Sequence, residues 1–226
     1  MGRLTPLVIL AILLTGCADH GDDGHGAPGA ATTAAPAPTT AGGMALTETL
    51  RRRRSVRDFR ARPLTEEQIA QLAWAAQGVT DPRGFRTAPS AGALYPIDLY
   101  VVTAEEVRRY LPGRHAFETV EVGDQRPALA KAAVNQTWLA KAPVTFAVCV
   151  VYERTTQKYG DRGRRYAIQE VGHVCQNLHL QAVALGLGSV PVGAFQDERV
   201  RRLLGAPPDH HPICLVCVGH PRVPTP

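Results

Sequence analysis

Residues 144–152 form an apolar run of strand length behind Pro143, broken only by Thr145. A strand with one wet face alternates polar and apolar side chains. This run offers almost nothing to water, so it reads as a strand buried on both faces. Such a strand needs a layer packed over each side, which restricts the chain to sandwich architectures around a central sheet. With 226 residues and 45% apolar content there is material for one such domain and too little for two of ordinary size.

Local signals place the other elements. Residues 46–54 read as a short basic helix. Thr65-Glu66-Glu67-Gln68 is a capping box opening a helix whose apolar positions Ile69, Leu72, Ala73 and Ala76 keep helical spacing until Gly78. A Gly/Pro-rich loop over 80–96 leads into a strand at 97–103, and residues 105–111 are expected to be helical and 117–122 a strand. A helix over 127–141 stops at Pro143, and the longest helix covers 164–185, ending at Gly186 and Gly188. A strand over 189–192, a helix over 198–204 capped by Asp197 and a strand over 213–218 complete the chain. Strands separated by helices, without a long series of hairpins, indicate an α/β or α+β sandwich around a mixed sheet.

The N-terminus carries a separate message. Arg3, the apolar run 7–14 and then Leu14-Thr15-Gly16-Cys17 read as residues 1–17 of a secretory signal ending in a lipobox, with Cys17 the acylated residue. The run is shorter than the roughly 20 residues a membrane-spanning helix needs. Residues 18–43, rich in Ala, Thr, Pro, Gly, Asp and His, have too little apolar surface to offset ordering entropy and are expected to be a disordered tether. The folded domain is then 44–226, held by its lipid on the extracytoplasmic side of a bacterial envelope membrane. Translation from Met44 would instead leave a cytoplasmic enzyme. Cys214 and Cys217 lie on one strand with side chains on opposite faces, which favours core packing over a zinc or redox pair.

The formal charge of +5 is concentrated in groups such as residues 51–54, and no nucleic-acid-binding motif accompanies it. There is no GxxxxGK[ST] loop and no GxSxG elbow, and Gly186-Leu187-Gly188 follows a helix where a dinucleotide fingerprint follows a strand. A metal reading on His173, Cys175, His210 and His211 lacks a convincing ligand set. The chemistry concentrates instead in Arg52-Arg53-Arg54-Ser55-Val56-Arg57-Asp58-Phe59, where several guanidinium forks surround a hydroxyl, a pattern suited to a phosphomonoester.

Several stretches match one family in order. Arg53-Arg54-Ser55-Val56-Arg57 resembles the Arg-Arg-Ser-x-Arg signature that opens the nitroreductase family, and residues 86–96 resemble its Pro-Ser loop. Residues 138–143 follow, then Tyr166, Glu170, Gly172-His173 and Gln176-Asn177-Leu178 on the long helix, Pro191-Val192-Gly193-Ala194-Phe195, and finally Gly219-His220-Pro221-Arg222. The wording of the loop and helix points to the SagB-type dehydrogenase branch.

That resemblance implies an α+β, nitroreductase-like three-layer sandwich, its mixed central sheet flanked by helices, acting as a homodimer with bound FMN. It implies that Arg53, Ser55 and Arg57, with Arg54 beside them, and Arg222 hold the phosphate and ribityl chain. Pro89, Ser90, Ala91 and Gly92 would face the flavin of the second chain, and Pro191, Val192 and Gly193 would present backbone amides to the ring. Lys158 and Tyr159 resemble a pair implicated in proton removal by azoline-oxidising relatives, with desolvation of the lysine helping that role. The implied activity is hydride transfer to or from a small-molecule or peptide-derived substrate, with NAD(P)H, a quinone or a redox partner as the electron donor. The alternative is a flavin-scaffold protein without turnover that serves as a binding or accessory module.

Overall fold

The computed structural model describes residues 31–223. The signal 1–17 with Cys17, and residues 18–30 of the tether, lie outside the described residues. The apolar run becomes β5 (Val144–Val150), buried at every position, in the middle of a seven-stranded sheet. Its neighbours are β2 (Ile97–Val102) on one side and β7 (His211–Gly219) on the other. Beyond β2 lie β3 (Glu106–Leu111), β4 (Ala116–Val122) and β1 (Thr32–Ala34), and beyond β7 lies β6 (Gly188–Val192).

Strand periodicity sorts the core into two layers. Leu99, Val101, Phe146, Val148, Val216 and Val218 pack with residues of α2 (Glu66–Gln77) and α5 (Arg162–Ala184). Tyr100, Val102, Ala147, Cys149, Leu215 and Cys217 pack with residues of α3 (Arg126–Ala132) and α6 (Asp197–Leu203). The α+β three-layer sandwich is therefore as expected, and Cys214 and Cys217 fall on opposite faces of β7. α1 (Leu46–Arg52) and α4 (Glu153–Tyr159) pack against α5. The capping box is formed in both directions: Gln68 N–H donates to Thr65 Oγ1, and Thr65 N–H donates to Gln68 Oε1.

Other expectations give way. Residues 105–111 are not helical: β3 occupies 106–111, reached from β2 by a connection too short for anything but a hairpin. Arg108 and Arg109 disguise it. Their side chains leave the strand in opposite directions, Arg108 to Glu66 at 2.8 Å and over the Phe117 ring, Arg109 to Glu118 at 2.9 Å in a buried pair. With that hairpin in place every ladder in the sheet is antiparallel, where a mixed sheet was expected; the parallel pairing present among the described residues is the single bridge Ser55–Ser189. The helix expected over 127–141 ends at Ala132, because Val134 and Asn135 both take left-handed backbone. Asp197 makes no side-chain cap and is the first residue of α6, after Gln196.

The tether is the largest correction. Residues 31–39 do not trail away: β1 pairs with β4, Ala35 N–H donates to His115 O, and Thr119 N–H to Ala31 O. Gln71 then clamps Thr39 through both its backbone N–H and its carbonyl. Backbone hydrogen bonding needs no apolar side chain, so composition gave no warning. The folded domain begins ahead of Met44.

Candidate functional site

α1 ends at Arg52, the backbone turns extended at Arg53, and the following segment runs along the outer edge of β6. Val56 N–H donates to Ser189 O at 2.9 Å. Gly188 permits this approach, since a Cβ there would lie 2.8 Å from the Val56 side chain. Further on, Phe59 bridges Pro221, and Arg222 donates to Asp58 through its backbone N–H and its Nε, each at 3.1 Å. Arg53, Ser55, Arg57 and Arg222 are thus collected on one sheet edge with the turn that leaves β6. Pro191 is tolerated in β6 because that strand lies at the end of the sheet. Ser55, Arg57, Pro191 and Gly193 are exposed, and the Arg57 guanidinium lies 5.8 Å from the Trp138 ring centroid. Arg54 is turned elsewhere, donating to the carbonyls of Arg51 and Arg53. Behind this edge, buried His179 shares a 2.8 Å hydrogen bond with Ser189 Oγ; burial, with the nearby charge of Arg53, pushes the imidazole down to about 4 and keeps it neutral at pH 7.

A second group forms around residues 86–95. Gly92, Ala93 and Tyr95 all have positive φ, and the loop holds this form by dense local bonding. Tyr95 N–H donates to Ser90 Oγ at 2.9 Å, Arg86 N–H donates to Tyr95 Oη, and the Arg86 guanidinium stacks 4.4 Å from the Tyr95 ring. Arg154 donates to Tyr95 O and to Asp98, while Asn177 donates to Thr87 O. Lys158 and Tyr159 are not in a loop but close α4, which stops at Gly160. Both reach Gly92: a Cβ there would lie 2.6 Å from Tyr159 Oη and 3.0 Å from Lys158 Nζ. The Tyr159 ring meets Tyr166 edge-on, and Lys158 is exposed, so the burial invoked for it is absent from the single chain.

Glu170 lies under this loop with only 2% of its surface exposed. Burial pushes its carboxyl up to about 7, against the opposing influence of Ser90, Gln77, Arg86 and Arg154. Ser90 and Gln77 stand near enough to favour its ionised form, yet Glu170 Oε1 and Gln77 Nε2 are both buried without a formed hydrogen bond. Sequence reasoning placed Glu170 in the helix match without assigning it a role. Its signal was that it is the one acid in α5 and shares the apolar stripe of Ala167, Val171 and Val174.

α5 carries both groups: Glu170 and Asn177 serve the loop, and His179 serves the β6 edge. From Glu170 to His179 the helix rises roughly 14 Å. One chain therefore presents two patches along one helix, cations with the Gly193 turn on one and the Ser90 loop with Tyr159 on the other. The Nitroreductase family model matches residues 50–220, a span containing the Ser90 loop and, apart from Arg222, the cation edge. The chain belongs to the nitroreductase family.

A Methanocaldococcus jannaschii protein named as a nitroreductase is 46% identical over 183 residues, covering 77% of this chain and 90% of that one. Among solved structures, a Ralstonia eutropha protein also named as a nitroreductase superposes with a TM-score of 0.78 at 27% identity, covering 85% of this chain and 90% of its own. The Escherichia coli microcin synthetase complex, bound to truncated pro-MccB17, gives a TM-score of 0.67 at 25% identity over 81% of this chain and 75% of its matched chain. The NADPH:FMN oxidoreductase of Vibrio harveyi gives 0.60 at 25% over 79% and 70%.

The residues of this nitroreductase-family chain suit a flavin mononucleotide. A phosphate dianion needs guanidinium donors that are accessible, and Arg57 and Arg222 are exposed on the same edge as the Ser55 hydroxyl. A ring needs backbone it can approach, and a Cβ placed on Gly193 would meet nothing within 4 Å. The Ser90 loop, by contrast, is already closed from behind by Tyr159 and Lys158, so its free side faces away from its own chain's α4.

Proposed function

We propose that this chain is an FMN-dependent oxidoreductase of the SagB-type dehydrogenase branch, acting as a homodimer on a small-molecule or peptide-derived substrate. The observation that carries the reading is the gathering of Arg53, Ser55, Arg57 and Arg222 with the open Gly193 turn on one sheet edge. Arg53, Ser55, Arg57 and Arg222 would hold the phosphate and ribityl chain, and amides near Gly193 would favour negative charge on the reduced ring. When bound, FMN would supply acceptance and delivery of hydride. The chain's own task is then to bind, orient and manage protons. Tyr159 Oη, fixed by Tyr166 and set beside Gly92, is placed to exchange a proton with substrate, and the adjacent Lys158 ammonium would stabilise its anion. The loop 89–92 of one chain would complete the site of the other. The similarity to the microcin synthetase complex, solved with truncated pro-MccB17 bound, supports the peptide-derived side of the substrate range. Acylation at Cys17 would hold the enzyme on the extracytoplasmic face, where a quinol or a reduced redox partner could stand in for NAD(P)H as donor.

The test is the visible absorption of the full chain titrated with FMN and then reduced with dithionite without oxygen. A bound, bleachable flavin in the wild type, lost in Arg53→Gln/Arg57→Gln, is expected. A folded protein that stays colourless with excess FMN would overturn the reading. Bound FMN that none of NAD(P)H, a quinol or a reduced protein partner can reduce would favour the accessory-module alternative.

A further inference from the structure

Glu170 is a buried acid whose Oε1 has no formed hydrogen bond among the described residues, set beneath the loop that carries Ser90. The groups facing it come from three elements. α2 contributes Gln77, whose Oε1 already accepts from Arg86 and whose Nε2 is an orphan. The loop contributes Arg86 and Ser90, and α4 contributes Arg154. Beyond them stand Tyr95, under Arg86, and Asp98, held by Arg154 with His210 on its other side. Burial pushes His210 below its usual value and Glu170 up to about 7, so Glu170 is a group here that changes charge near neutrality.

We infer that Glu170 is a proton-linked positioning residue for the Ser90 loop: its carboxylate draws the Ser90 hydroxyl and the Gln77 amide onto α5, and its neutral acid releases them. Ser90 Oγ accepts from Tyr95 N–H in either state, so the loop keeps its fold while the Ser90 proton changes partner. The raised carboxyl, near 7, sets the switching range. Released, the hydroxyl can donate to a ligand facing the loop; drawn in, it cannot. This rests on the flavin reading for the identity of that ligand but not for the loop's response.

Two measurements on the full chain separate these. Amide hydrogen exchange, expressed as protection relative to intrinsic rates, reads the loop 86–95 without ligand at pH 6 and pH 8.5. Fluorescence quenching of added FMN reads binding at the same two values. Wild type should show greater loop protection at high pH and about tenfold weaker FMN binding there, the scale of one hydrogen bond to a charged group. Glu170→Gln should be flat in both, and Ser90→Ala, which keeps Glu170, should lose the FMN response. Wild-type loop protection independent of pH, or a pH response retained in Glu170→Gln, would overturn the inference. A loop response abolished by Glu170→Gln in a protein that binds no FMN at either pH would uphold it while removing the flavin reading.

Discussion

Two buried side chains on α5 titrate in opposite senses, and their effects on stability can be separated. Glu170 is raised from 4.5 to about 7, so the folded state holds its proton where the unfolded chain has lost it. Its favourable contribution is complete below pH 4.5 and disappears as pH rises to 7, a change on the order of 3 kcal/mol. His179 is lowered from 6.5 to about 4, so its contribution is complete above pH 6.5 and disappears as pH falls to 4, again on the order of 3 kcal/mol. Between pH 4.5 and 6.5 the slopes cancel. Urea unfolding of the wild type should therefore change little across that window on their account. Glu170→Gln should show stability rising by about 2 to 3 kcal/mol from pH 4.5 to 6.5, the uncovered His179 slope. A variant whose profile parallels the wild type would show that Glu170 does not carry its raised value in the folded protein.

At the scale of elements, the edge strand β1 is the surprise with a consequence. Without residues 1–43, the backbone of β4 between Ala116 and Thr119 loses its pairing with β1 and Gln71, 7% exposed, loses both bonds to Thr39. A chain starting at Met44 should lose at least about 4 kcal/mol against the full chain in chemical unfolding, given about 1 kcal/mol for each net hydrogen bond. It should also self-associate through the opened edge, detectable by light scattering. Equal stability and a monodisperse profile would mean that residues 31–39 are an ornament. The elements legible in the sequence were those specified by their own residues: β5 by its apolar run, α2 by its capping box, the long helix by its stripe and terminal glycine. Those misread depend on distant partners. β3 carries two arginines because Glu66 and Glu118 lie across from them, and β1 exists because β4 has an unpaired edge. The candidate site divides the same way. The arginine segment and the Ser90 loop announced themselves by motif, whereas Glu170 became visible as a functional candidate once Gln77, Arg86 and Ser90, remote in sequence, closed around it.

For the molecule as a whole, the two patches explain why a nitroreductase-family chain would act as a pair. The cation edge and the Ser90 loop are held by different residues of α5, His179 for the edge and Glu170 with Asn177 for the loop, and the loop's free side faces away from its own α4. A two-fold dimer would set the loop of each chain opposite the cation edge of the other, giving two equivalent sites. The direct measurement is flavin stoichiometry in mixed dimers. One chain carries Arg53→Gln/Arg57→Gln and the other Gly92→Val, which breaks the left-handed turn against Tyr159; each alone should bind no FMN. Purified as a heterodimer, one of the two sites combines the intact edge with the intact loop, and the account predicts one reducible flavin per dimer. A heterodimer as colourless as either parent would contradict a site completed across two chains.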